Sequence, residues 1–196
     1  MLTLLMSLLV AAAPDAHAGG VGVVTTGGFR GQKVYFYDES NNLARYTLGE
    51  TLADYGFGME FVLGDRDDKL QGYFRTYWLG ESPEKDPAQL TSLVAPDAVV
   101  ANWREQSRNV GIMTVGLQVE ALGQRDTAQL FLQADLGAGV LTTDHTEFLQ
   151  LDLGAGVLHG FGRDVDGYVT LNYSPRYDRG FIHGANAYAG VRYLFD

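Results

Sequence analysis

Strict alternation of apolar side chains with polar or very small ones is the feature that most constrains this chain. Over 53–63 every odd-numbered position is apolar, whereas the even-numbered positions are Asp54, Gly56, Gly58, Glu60 and Val62. A period of two residues is that of a β-strand whose two faces meet different surroundings. The segment therefore predicts a strand with one oily face and one polar or small face.

The same alternation recurs often enough to predict eight strands. They lie near 20–37, 51–63, 69–80, 109–122, 127–141, 147–161, 167–174 and 185–195. Two of these segments carry an internal repeat, since 131–141 and 148–158 agree at ten of eleven positions. A solenoid needs several stacked copies, so two copies in neighbouring strands indicate shared strand chemistry or the duplication of a hairpin.

The connections between the strands are of two kinds. Short turns rich in Gly and Asp, at 64–67, 123–126 and 162–164, follow every second strand. Longer and more variable connections fall at 39–42, 81–108, 142–146 and 174–183. Short turns at one end and long loops at the other are typical of a transmembrane barrel. The predicted fold class is therefore all-β, an eight-stranded antiparallel up-and-down transmembrane β-barrel with both termini at the turn end.

Composition excludes several other classes of protein. A net charge of −10 argues against nucleic-acid binding, which needs a concentrated basic face. The absence of cysteine excludes disulfides, thiolate metal sites and a cysteine nucleophile. Beyond the N-terminus, no stretch approaches the ~20 apolar residues that a membrane-spanning helix requires.

The N-terminal segment has the pattern of a secretory signal. An apolar run over 2–13 is followed by Ala16-His17-Ala18, which fits the small-residue rule for cleavage after Ala18. No Lys or Arg precedes the apolar run, so a buried N-terminal helix is the alternative. We expect a signal peptide over 1–18 and an outer-membrane barrel domain over 19–196.

The last strand carries a family resemblance. Apolar or aromatic residues alternate through it at Ala187, Ala189, Val191, Tyr193 and Phe195. This pattern resembles the terminal strand of small bacterial outer-membrane barrels of the OmpA/OmpX type, which usually end on the aromatic residue itself, whereas this chain adds Asp196. The resemblance implies an outer-membrane location in a Gram-negative bacterium, outer-membrane lipid as surroundings, and recognition of these five residues by the barrel assembly machinery.

Strand parity assigns seven charged side chains to the interior of the barrel. They are Asp54, Glu60, Arg75, Glu120, Asp135, Asp152 and Arg192. Counting from the turn end predicts two ion-pair layers, with Glu60, Glu120 and Arg192 in one and Arg75, Asp135 and Asp152 in the other. Buried charges are costly unless they are paired, so we expect a polar core that blocks free diffusion. Five acids and two bases leave three acids without an arginine, and a narrow cation-preferring pore is the alternative.

Aromatic side chains are expected near the two ends of the strands, as in the girdles of membrane barrels. Trp78, Tyr37, Tyr46 and Tyr173 are predicted near the loop ends, and Phe61, Tyr193 and Phe195 near the turn ends.

No motif in the sequence supports catalysis, a metal or a cofactor. Asp144, His145 and Glu147 lack the fixed spacing of a zinc site. The stretch His183-Gly184-Ala185-Asn186 resembles a motif of lipid A deacylases, but Ala185 stands in the place of the nucleophilic serine.

These observations predict a structural or surface-interaction protein of the outer membrane whose loop ligand is unknown. A soluble exported barrel of the lipocalin kind is the chief alternative, and it would place the apolar face inward around a hydrophobic ligand. A lipid-modifying enzyme is the third possibility, and it would need a Ser/His pair near the rim.

Overall fold

A computed structural model describes residues 19–37, 43–83, 99–100, 108–141, 146–177 and 181–195. Eleven strands lie within them: β1 (Gly19–Tyr37), β2 (Leu43–Leu63), β3 (Leu70–Pro83), β4 (Val99–Val100), β5 (Arg108–Gln124), β6 (Ala128–Leu141), β7 (Thr146–Gly160), β8 (Val165–Tyr173), β9 (Arg176–Tyr177), β10 (Phe181–Ile182) and β11 (Gly184–Phe195). The predicted signal peptide over 1–18 lies outside the described residues.

Eight of these strands form a closed antiparallel barrel. Neighbours along the chain pair in the order β1, β2, β3, β5, β6, β7, β8 and β11. The barrel closes where β1 pairs with β11, from Gly19 opposite Phe195 to Arg30 opposite Gly184. A closed sheet has no free edge within the barrel wall. The predicted fold, an eight-stranded antiparallel up-and-down barrel, is confirmed.

The three short turns are also confirmed, and each depends on a glycine. Gly64, Gly123 and Gly162 have φ angles of 113°, 96° and 91°. This left-handed region is strained for residues that carry a Cβ, whereas glycine adopts it readily. The three turns lie at the same end as Gly19 and Phe195, which we call the turn end; the other end is the loop end.

Three strands of two residues each were not predicted. β4 pairs with β1 at Phe36 and Tyr37, β9 pairs with β7, and β10 pairs with β9. β9 and β10 continue β8 and β11 in the same registers, past the ends predicted for those two strands at 174 and 185. The hairpin of β1 and β2 continues past Arg30, where pairing with β11 stops, and so extends beyond the barrel wall.

The two faces of the barrel wall have opposite chemistry. Burial alternates residue by residue, as β6 shows over almost its whole length. The outward face is apolar and exposed, with Phe57 at 68% and Leu132 at 56%. The inward face carries buried polar and charged side chains together with aromatic and aliphatic ones. This distribution is the reverse of that expected for a lipocalin-like barrel, which needs an apolar interior.

Candidate functional site: the charged interior of the barrel

Six of the seven charged residues assigned to the interior are buried. Asp54, Glu60, Arg75, Asp135, Asp152 and Arg192 are each at most 4% exposed. The seventh, Glu120, is only half-buried. The pairing of β5 with β6 shifts register between Glu120 and Leu122, and such a shift locally re-aims side chains.

Arg75 is the centre of the interior. Its guanidinium makes an ion pair with Glu60 and another with Asp135, whose Oδ2 lies 3.1 Å from Arg75 Nη1. Its Nη2 donates to Gln133 Oε1 at 3.4 Å, and its Cζ lies 4.0 Å from the centre of the Tyr73 ring. One arginine therefore makes ion pairs with two buried carboxylates in the middle of the barrel.

Asp152 is held by neutral donors. Tyr188 donates its hydroxyl proton to Asp152 Oδ2 at 2.7 Å, and Gln150 Nε2 donates to the same carboxylate at 3.1 Å. The Tyr188 and Tyr77 hydroxyls are hydrogen-bonded at 3.0 Å, and their rings meet edge to face. Asp135 and Asp152 are register partners on β6 and β7, so the two carboxylates project from directly opposed positions.

A second cluster surrounds Asp166 at the turn end. Arg192 Nε and Arg125 Nε each lie 3.4 Å from Asp166 Oδ2. Arg66 lies 3.9 Å from Asp166, and its side chain donates to the Gly162 carbonyl at 2.7 Å. Burial lowers the pKa of the Arg125 guanidinium from its ordinary value, and the charge of Asp166 opposes that effect.

A third cluster lies toward the loop end. Arg30 Nη2 is 3.5 Å from Asp54 Oδ2, and Arg30 Nη1 donates to the Ser174 carbonyl at 2.7 Å. Arg176 Nη1 donates to Glu81 Oε1 at 2.7 Å. Both pairs are nearly inaccessible to solvent.

The structure thus differs from the expected arrangement of two layers. It has three clusters, and Glu60 contacts Arg75 of the middle cluster as well as lying 3.9 Å from Arg192. The two-residue period shows whether a side chain points into the barrel or out of it. How deep the side chain lies along the barrel depends on how each strand is staggered around the closed sheet.

The sequence predicted five acids and two bases in the interior. The structure also buries charged residues that this prediction missed. Among the described residues, six carboxylates and five guanidinium groups are buried: Asp54, Glu60, Glu81, Asp135, Asp152, Asp166, Arg30, Arg75, Arg125, Arg176 and Arg192. Extending the parity of β1 and β3 would have found Arg30 and Glu81. Arg176 lies two residues past the end of the strand predicted over 167–174, on the inward parity of Thr170 and Asn172.

The residues of the expected assembly signal lie on the outward face of β11. Ala189, Val191, Tyr193 and Phe195 are exposed, and Ala187 is half-buried. The exposed aromatic side chains also include Phe61, Trp78 and Tyr173. The side chains of Tyr37 and Tyr46 lie outside what the structure describes.

Other candidate residues do not form a site in the part of the chain that the structure describes. No group of three or more His, Cys, Asp or Glu side chains there could hold a metal ion. Glu147 is exposed, and Asp144 and His145 are outside the described residues. His183 is exposed and its Nδ1 lies 2.6 Å from the Tyr173 hydroxyl, whereas Asn186 is buried in the interior.

In the same described ranges, no helix is long and apolar enough to cross a membrane.

Comparison with known proteins gives structural likenesses only. No protein-family model matches the chain, and no curated protein matches it. Neisserial surface protein A is 12% identical, with 89% of this chain and 96% of that chain covered and a TM-score of 0.46. The outer-membrane protease OmpT of Escherichia coli is 10% identical, with coverages of 93% and 97% and a TM-score of 0.32. The transport unit of the E. coli autotransporter AIDA-I is 9% identical, with coverages of 92% and 91% and a TM-score of 0.27. Likenesses at this level define neither a family nor an activity for this chain.

Proposed function

We propose that this chain is an integral outer-membrane β-barrel with a plugged lumen, which acts as a structural or surface-interaction protein through its extracellular loops. The proposal rests on the distribution of side chains, which is apolar on the outward face and rich in charged and polar groups on the inward face. An outward face of exposed Phe, Leu, Val and Met is unfavourable in water and favourable in hydrocarbon. A closed sheet pairs its backbone groups internally, as hydrocarbon demands. Export by the segment 1–18 and insertion by the barrel assembly machinery through the β11 signal belong to the same proposal.

The packing of the interior supports a plugged lumen. A Cβ added to Gly116 would lie 2.2 Å from Asp135 Oδ1 and 2.6 Å from Tyr73 Cζ. One added to Gly154 would lie 1.9 Å from Asn172 Oδ1. The space beside these two interior glycines is therefore already filled by neighbouring side chains. The Arg75 cluster lies across the middle, and the Asp166 cluster lies across the turn end.

The proposed role needs no catalytic residue. The hairpin of β1 and β2 extends beyond the barrel wall at the loop end, where a surface contact would be made. Loops that a rigid scaffold presents are common sites of recognition.

Conductance measurements separate the plugged barrel from the cation-preferring pore. Purified protein reconstituted into a planar lipid bilayer is expected to give no steady current, because three charged clusters occupy the lumen. An open porin in the same bilayer is the positive control. A steady current whose reversal potential shows cation preference would overturn the plugged lumen and favour the pore.

A further inference from the structure

The three short turns contact one another across the turn end of the barrel. We call the turns at 64–67, 123–126 and 162–164 the turn ring. The first turn joins β2 to β3, and the third joins β7 to β8. In the closed order of eight strands, two strands separate these two turns on either side, so the turns lie opposite each other on the rim. A contact between them must therefore cross the mouth of the barrel.

Arg66 of the first turn makes that contact. Its Nη2 donates to the Gly162 carbonyl at 2.7 Å, and its Nη1 donates to the Arg163 carbonyl. Both acceptors belong to the backbone of the third turn, and a planar guanidinium fork can donate to two oxygens at once. One side chain thus joins turns that stand on opposite sides of the mouth.

Arg125 and Gly160 complete the turn ring. Arg125 Nη1 donates to the Arg66 carbonyl, which links the second turn to the first. The Gly160 amide, at the end of β7, donates to the Arg125 carbonyl at 2.8 Å, which links the third hairpin to the second turn. Each of the three hairpins therefore donates a hydrogen bond to one of the other two and accepts one from the remaining hairpin.

The side chains directly below the turn ring are shielded from solvent. They are polar or charged, lie near the turn ends of their strands and are each at most 5% exposed: Gln71, Gln129, Asp166 and Arg192. An open mouth would expose these groups, so their burial indicates that the turn ring covers it. The Arg66 side chain is 18% exposed and thus stands at the boundary between the interior and solvent.

We propose that Arg66 closes the lumen at the turn end, as a barrier separate from the middle cluster around Arg75. Without the Arg66 guanidinium, the first and third turns lose the two hydrogen bonds that cross the mouth, and solvent enters as far as the middle cluster. The inference rests on the plugged lumen of the proposed function and extends it to two barriers in series. Solvent entry is measured in detergent micelles, so the test does not depend on where the protein resides.

Single-cysteine variants of this cysteine-free chain measure solvent entry at two depths. Gln129→Cys reports from just below the turn ring, and Thr114→Cys reports from the level of Arg75, its register partner. Both positions are buried, and Gln129 Oε1 and Thr114 Oγ1 have no hydrogen-bond partner among the described residues, so either substitution breaks few contacts. Gln124→Cys, at an exposed position of the second turn, is the fast reference.

Each variant is treated with a neutral, water-soluble methanethiosulfonate reagent. With Arg66 intact, both buried cysteines should react much more slowly than Gln124→Cys. Arg66→Ala, or Arg66→Gln as a second variant, should make Gln129→Cys react at least about tenfold faster, because two hydrogen bonds from a charged donor are lost. Thr114→Cys should stay slow. Lys69→Ala, at an exposed position, should leave both rates unchanged.

The two depths separate the possible failures. Fast labelling of Gln129→Cys alone, with Arg66 intact, would overturn the barrier at the turn end and leave the plugged lumen standing. Fast labelling of both buried cysteines would overturn both. A Gln129→Cys rate that neither Arg66 variant changes would overturn the role of Arg66, and acceleration of Thr114→Cys together with Gln129→Cys would contradict a separate barrier in the middle.

Discussion

Arg75→Ala is expected to destabilise the folded barrel by about 3 to 5 kcal/mol, the cost of removing one partner from a buried ion pair. The substitution leaves Glu60 and Asp135 without their shared guanidinium, and both carboxylates are buried. It also removes the cation that lies against the Tyr73 ring. Urea unfolding in lipid vesicles, followed by tryptophan fluorescence, measures the change.

Two variants make this experiment specific. Arg75→Lys keeps a positive charge but loses the fork that reaches both carboxylates, so it should fall between the wild type and alanine. Lys69→Ala, at an exposed position in a turn, should change stability by less than about 0.5 kcal/mol. If Arg75→Ala unfolds at the same urea concentration as Lys69→Ala, the middle cluster does not stabilise the barrel.

Leu132→Arg is expected to impair insertion and folding in lipid. Leu132 lies near the middle of β6 on the outward face and is 56% exposed. Placing Arg on the lipid face near the midplane of a bilayer costs about 2 to 4 kcal/mol. Folding yield into preformed vesicles and the free energy of unfolding both report the loss.

The position of the new charge provides the control. Gln124→Arg adds the same charge at the turn end of β5, where the side chain is exposed, and should fold normally. Leu132→Phe keeps the outward face apolar and should also fold normally. Normal folding of Leu132→Arg in lipid would mean that this face of β6 does not meet hydrocarbon.

Alternation was sufficient to predict which face of a strand points inward. It placed Arg75 with Gln71, Tyr73 and Tyr77 on β3, and the structure buries all four. The glycines of the short turns likewise predicted the turn end, because positive φ angles require them.

The partners of the interior charges could not be predicted in the same way. Asp166 meets arginines from three distant parts of the chain, and nothing in the local sequence of any of them indicates the others. Such contacts depend on the stagger of the closed sheet, which a period of two residues leaves undetermined. Arg176 lies beyond the end predicted for the strand at 167–174, although it keeps the inward parity of Thr170 and Asn172.

The membrane location is tested most directly by fractionating an expressing Gram-negative host and running the outer-membrane fraction on SDS gels with and without boiling. A closed barrel that resists SDS migrates differently until it is heated. We predict that the protein is found in the outer-membrane fraction and that its band shifts on boiling. Recovery of the protein as a soluble periplasmic species with no shift would contradict a transmembrane barrel.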